Sequence, residues 1–145
     1  MLIHHLTPAQ CEELLTRTPI GRLACARMGQ PYIVPISFSF DPIERALVSF
    51  SSVGQKIGWM RANPKVCVEV DEIVDQFNWA SVLVTGRYEE IVASDKARLE
   101  RAQQLFQTRS AWWLPGAAHL DGSDREAAVF FQIAIKEMSG RRAGS

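Results

Sequence analysis

The stretch PYIVPISFSF, residues 31–40, repeats with a period of two. Tyr32, Val34, Ile36, Phe38 and Phe40 fall on one side, Ser37 and Ser39 on the other. Side chains of an extended strand point alternately to opposite faces, so this pattern predicts a strand with one face buried. Pro35 has no N–H to give to a neighbour, which places the strand at a sheet edge or a bulge. Val66, Val68 and Val70 alternate in the same way with Cys67, Glu69 and Asp71. Shorter apolar runs at 20–27, 46–50 and 128–135, and a long one at 80–91 with Gly86 marking a bend, complete the set. Met28-Gly29-Gln30-Pro31 and Asp41-Pro42 supply turns, and the runs around Asp41-Pro42 are expected to form a hairpin. About six short strands and few helices imply a mainly β chain, an antiparallel barrel or sandwich. The tail RRAGS reads as frayed.

Three helices interrupt the strands. Thr7 has the character of a cap, Pro8 suits a first helical position, and Gln10 has capping-box spacing; Thr18-Pro19 ends this helix. A second, short helix is expected from about residue 53 to 62, stopped by Asn63-Pro64, with Ser52 and Gln55 in capping-box spacing. Ser94-Asp95 opens a third that runs to about Gln107, with Leu99, Ala102, Leu105 and Phe106 on one side. The segment SAWWLPGAAHLDGSD reads as a loop.

The chain has 145 residues, enough for one domain with its own core. Its 16 basic and 16 acidic residues balance, so no overall field attracts nucleic acid or an anionic membrane. An anion has to be held by a local arrangement. Cys11, Cys25 and Cys67 are scattered, with neither metal-ligand nor redox-motif spacing, which favours a reduced, cytoplasmic setting. There is no signal-peptide pattern at the start and no apolar run long enough for a membrane helix. His4 and His5 are adjacent and point opposite ways, and His119 stands alone, so no metal site is expected. Glu69, Asp71, Glu72 and Asp75 read as a solvated edge that discourages strand pairing.

The join SSVGQK, residues 51–56, follows a strand and opens the short helix. Helix starts expose unpaired amide hydrogens and carry a partial positive charge. Ser51 and Ser52 bring hydroxyls, Gly54 leaves the backbone approachable, and Lys56 adds a full charge in the first turn. A cation belongs at the other end of a helix on dipole grounds, so its place here is explained by an anion. A capped helix with a solvated lysine is the plainer alternative, and spacing alone leaves both open.

The ordered set GRLA (21–24), PYIVPISFSF (31–40), VSFSSVGQKIGWMRANPKVCVEVDE (48–72), NWASVLVTGRYEEI (78–91) and EMSGRR (137–142) resembles the pyridoxamine 5′-phosphate oxidase-like proteins, within them the nitroimidazole-resistance (Nim) type. The likeness runs from about Thr7 to Arg142. It implies a split β-barrel with flanking α-helices that binds FMN at a homodimer interface. By that resemblance the segment with Ser51, Ser52 and Lys56 holds the phosphate, and Gly54 and Gln55 within it are candidate cofactor-binding residues. Val34, Pro35, Ile36 and Ser37 meet the polar edge of the flavin ring, and Trp79 closes the pocket, often from the other subunit. Trp113, in the loop with Trp112, is a candidate for the substrate side. Many relatives carry a histidine where this chain has Ser49-Phe50-Ser51.

An FMN-dependent oxidoreductase needs no nucleophile of its own, because the flavin carries the chemistry. The resemblance implies a reduced nicotinamide or another reduced cofactor as donor and a small organic acceptor, of which the Nim type suggests a nitroaromatic. A haem-handling barrel, a flavin-binding module without turnover and a deazaflavin enzyme are the alternatives.

Overall fold

The computed structural model describes residues 2–107 and 128–144. Within them lie β1 (Ile3–His5), α1 (Pro8–Arg17), β2 (Ile20–Arg27), β3 (Gln30–Ser37), β4 (Ser39–Asp41), β5 (Ala46–Ser52), α2 (Gln55–Ala62), β6 (Lys65–Asp75), β7 (Asn78–Glu90), α3 (Lys96–Gln107) and β8 (Ala128–Ala143). The strands form one antiparallel sheet in the order β3-β2-β6-β7-β8-β5-β4, with β1 added to β8. The class is the expected one, a curled β-sheet with flanking helices, although eight strands replace about six.

Of the two additional strands β1 is one, and PYIVPISFSF supplies the other. It is not a single strand of one hairpin. Residues 30–37 pair with β2, whereas residues 39–41 pair with β5. One short segment thus supplies both ends of the sheet, and the sheet curls round to bring them together. The change of partner falls at Phe38, whose N–H donates to Pro19 O at 3.2 Å and whose ring is fully buried. Pro35 lies in β3, which among the described residues pairs only with β2, and an end strand is where a missing N–H is tolerated.

The curl encloses Leu23, Val68, Val70, Val82, Leu47 and Phe131, all essentially without exposure, with Leu14 and Leu15 of α1 packed on them. Each such side chain contributes about 1.5–3 kcal/mol. The Thr7–Gln10 capping box is formed in both directions, fixing where α1 begins. Asp95 Oδ1 accepts from Arg98 N at 3.2 Å at the start of α3. That helix lays Ala102 and Phe106 on Val48 and Ile91, forming a second small core beside Phe50.

One expectation fails at a strand end. The segment read as a frayed tail continues β8 to Ala143, paired with β7 on one side and β1 on the other. A 16-residue strand was hidden by the lack of strict alternation in KEMSGRRA. Of the acidic residues of β6, Glu69 is paired with Arg22 of β2, whereas Asp71, Glu72 and Asp75 lie beyond the β2 ladder and pair with β7 alone. Arg22 meets Asp71 at 3.0 Å and Glu69 at 3.6 Å, Arg17 meets Glu72 at 3.1 Å, and Asp75 accepts from Phe77 N in the turn.

Candidate functional site

The corner singled out by SSVGQK is built by the end of β5 and the first turn of α2. β5 runs through Ser52, which stands opposite Ala128 of β8. The ladder therefore claims Ser52, and the Ser52–Gln55 capping box does not form. Gly54 takes the N-cap position instead, in extended backbone and with no side-chain cap. Among the described residues the space around Gly54 is open: a Cβ there meets none of their atoms within 4 Å. Its backbone is of a kind any residue adopts, so openness rather than conformation is what glycine contributes. Gln55 and Lys56 follow as the first helical residues, with no acidic side chain in that turn.

Ser51 Oγ donates to Ser52 O at 2.9 Å, within the corner's own backbone. Lys56 is half-buried, and burial pushes its ammonium below the ordinary lysine value. Among the described residues no carboxylate forms an ion pair with it. A charge taken partly out of water without a partner is unfavourable, and a helix start adds to the cost. The corner is electrostatically incomplete in the way an anion site is.

The Val34–Ser37 segment adjoins it. Ser49 Oγ, buried, donates to Ser37 O at 2.6 Å and stitches β5 to β3. Among the described residues β3 has a ladder partner on one side only, so alternate backbone groups between residues 34 and 37 point away from that ladder. Ile36 faces the core, Val34 and Ser37 are half-buried, and Pro35 is exposed. Ser51, Ser52, Gly54, Gln55 and Lys56 lie in one continuous segment at the corner, and the Ser49–Ser37 bond ties the end of β3 to β5 two residues before Ser51. Trp79 is not among them. It starts β7 opposite Ala143, whereas the other end of β7 reaches the row of Ser49 and Phe131. Nearly the whole of β7 separates Trp79 from the corner of its own chain. Trp113 and His119 lie outside the described residues, and His4 and His5 are exposed on β1.

Ser49 was not singled out as a site residue, although serine in an apolar run was a usable signal. The Arg61–Glu90–Tyr88 network was also missed. Arg61 pairs with Glu90, and Tyr88 donates to the same carboxylate oxygen at 2.7 Å, holding the far end of α2 against β7. Burial first, then Glu90, pushes the Tyr88 phenol well up. Trp59 packs on Tyr32, with ring centroids 5.6 Å apart, as structure rather than site. Among the described residues no group of His, Cys, Asp and Glu is arranged to hold a metal, and no helix is long and apolar enough to cross a membrane.

A family model described as pyridoxamine 5′-phosphate oxidase matches residues 7–142. The chain belongs to that family. An uncharacterized protein of Rhizobium meliloti is 38% identical over 99% of this chain and 97% of its own length. The crystal structure of an FAD-binding protein from Mesorhizobium loti is 40% identical, covers 99% of this chain and 100% of that one, and superposes with a TM-score of 0.80. An FAD-binding protein from Mycobacterium smegmatis shares the fold at 22% identity and a TM-score of 0.73, over 97% of this chain and 100% of its own. A candidate 5-nitroimidazole antibiotic resistance protein from Bacteroides thetaiotaomicron does so at 16% and 0.67, over 100% of this chain and 93% of its own. These neighbours place the pyridoxamine 5′-phosphate oxidase-like chain on the split-barrel fold.

Proposed function

We propose that the protein binds FMN, with the phosphate seated at the start of α2, and acts as an oxidoreductase on a small organic compound. The observation that carries this reading is Lys56: half-buried, at the wrong end of a helix for a cation, and without an acidic partner among the described residues. A phosphate dianion resolves all three features, receiving the ammonium and the first-turn amides together.

The flavin, when bound, supplies hydride and electron transfer. The chain's own residues bind and orient it. Lys56 and the amides of Gln55 and Lys56 hold the phosphate, and Ser51 and Ser52 offer hydroxyls at its edge. The backbone of Val34, Pro35, Ile36 and Ser37 offers hydrogen-bonding groups to the polar rim of the ring. The Ser49–Ser37 bond fixes the spacing between the two. A reduced nicotinamide is the proposed donor; a nitroaromatic is one acceptor of suitable chemistry.

Trp79 enters if two copies share the site. The β6–β7 hairpin tip beside it carries Ile73, Val74 and Phe77 at 70%, 77% and 56% exposure. A tip this apolar favours burial against another copy, which would bring Trp79 over that copy's flavin. FAD is a second reading, favoured by the FAD-binding protein that is 40% identical; its diphosphate would use the same corner.

Titration of the purified protein with FMN and with FAD, followed by visible absorption and flavin fluorescence, tests the proposal. Lys56→Ala removes a charge-assisted bond worth about 1.5–3 kcal/mol, so affinity falls roughly ten- to a hundredfold. Protein that stays colourless with either flavin overturns the flavin reading. Affinity untouched in Lys56→Ala removes the phosphate from this corner.

A further inference from the structure

On the outer face of the sheet, away from α2's first turn, lies a cleft of about 640 Å³. Its floor crosses three strands in register: Ala24 of β2 opposite Cys67 of β6, and Cys67 opposite Thr85 of β7. Small side chains at these positions leave the floor low. Its rim carries Lys65, Arg87 and Lys136, with Glu137 as the one carboxylate lining the cleft.

The arrangement of the three cations is unfavourable in the protein alone. Lys65 and Arg87 stand directly opposite each other on β6 and β7, and like charges at facing positions of an antiparallel pair are destabilising. Lys136 is the extra residue of a β-bulge: Thr85 pairs with Glu137, Gly86 pairs with Ile135, and Lys136 between them is left out. Bulges re-aim side chains and recur beside functional sites. None of the three forms an ion pair with a described carboxylate, although Arg17, Arg22, Arg45, Arg61, Arg98 and Arg101 all do. Six arginines find acids on this neutral chain, yet these three cations line one concave surface with Glu137 beside them and no ion pair to it.

We propose that this cleft is a second binding site, for a small organic molecule bearing a diphosphate or triphosphate. The charged end lies between Lys65, Arg87 and Lys136, where the planar guanidinium of Arg87 can take two phosphate oxygens at once. The uncharged body lies on the floor formed by Ala24, Cys67 and Thr85. The site is independent of the flavin reading, since Lys56 takes no part in it.

Pyrophosphate and ADP are the probes, titrated into the full-length protein by calorimetry and by amide NMR. Saturable binding is expected, with shifts at residues 85–87 and 136–137, and with ADP the tighter of the two. Lys65→Gln and Arg87→Gln each weaken binding at the cleft about tenfold or more, while Lys56→Ala, which removes any anion from the first corner, leaves the shifts at residues 85–87 and 136–137 unchanged. Lys65→Gln also raises the melting temperature without ligand, because the facing charges no longer repel, and it shrinks the stabilisation that pyrophosphate adds. No saturable binding of either probe overturns the proposal. So do shifts confined to α2 and abolished by Lys56→Ala, which assign the anion to the first corner, and a cleft closed by a second copy, seen as protection of residues 85–87 that is lost on dilution.

Discussion

Ser49 donates its hydroxyl to the backbone carbonyl of Ser37 at 2.6 Å, joining β5 to β3 where the sheet curls on itself. The bond sets the distance between the helix corner and the β3 backbone, the two parts of the candidate flavin site. Ser49→Ala removes one buried hydrogen bond, worth about 1 kcal/mol of stability. If the two parts act together, flavin affinity falls as well, by more than the stability loss explains. Denaturant unfolding and a flavin titration on the same preparation separate the effects; unchanged affinity means that the spacing is held by the rest of the curl.

Lys56 offers a test that needs no ligand. Its folded-state pKa is lowered by burial, so the folded protein holds the proton less tightly than the unfolded chain. For such a group stability rises with pH, from its lowered folded value up to the ordinary value of 10.5. Lys56→Met keeps the stem's packing and discards the charge. It is expected to stabilise the flavin-free protein at pH 7 by about 1 kcal/mol and to flatten that alkaline rise, while flavin binding weakens. A destabilised Lys56→Met shows that the ammonium has a partner in the fold.

Gly86 was legible as a bend, and the structure supplies the reason. A Cβ at this position would lie 2.3 Å from Ala134 O, a backbone atom that cannot move aside alone. The β7–β8 register slips beside it and expels Lys136. Gly86→Ala is expected to cost about 2–3 kcal/mol and to disturb the amide signals of residues 134–137 before those of α2. A stable variant with an unmoved spectrum would show that the close approach yields easily.

Legibility followed the range of the interaction. The Thr7 cap, the turn at Met28-Gly29 and the valines of β6 depend on residues close in sequence, and alternation or spacing revealed them. The split of PYIVPISFSF between two partners depends on closure of the whole sheet, which no local pattern encodes. β8 was cut short for the same reason: Gly140 faces Leu6 and Cys11 closely enough that a Cβ would come within 2.7 Å of Leu6, so its glycine records packing rather than a chain end. At the candidate site, residue types revealed the charge and the open backbone. The failed Ser52 cap and the remoteness of Trp79 follow from strand register, which composition does not carry.

Asp41 is buried at 2% exposure and receives both arms of Arg101, at 2.7 and 2.6 Å, as well as the amides of Ile43 and Glu44. The pair ties α3 to the β4–β5 hairpin. Arg101 holds the carboxyl below its usual range, so the stabilisation is present at neutral pH and disappears as pH falls through that lowered value. Arg101→Met leaves a buried carboxylate with only backbone donors, at a cost of about 3 kcal/mol. The loss is expected at pH 7 and is expected to narrow in acid; a pH-independent loss would assign it to packing of the arginine stem.

Glu69 predicts the opposite pH trend. Burial, then its neighbour Asp71, pushes its carboxyl up to about 7, against the opposing pull of Arg22. The folded protein therefore binds a proton that the unfolded chain releases near the ordinary value of 4.5. Between those two values the folded state carries more protons, and stability from this group declines as pH rises. The side chain is 37% exposed, so water screens the effect to about 1 kcal/mol. Glu69→Gln mimics the protonated form. It is expected to leave stability unchanged near pH 4.5 and to raise it by that amount above pH 7, measured as the difference between wild-type and variant unfolding midpoints across the range. A difference that does not grow with pH would mean that Arg22, 3.6 Å away, already compensates the carboxylate.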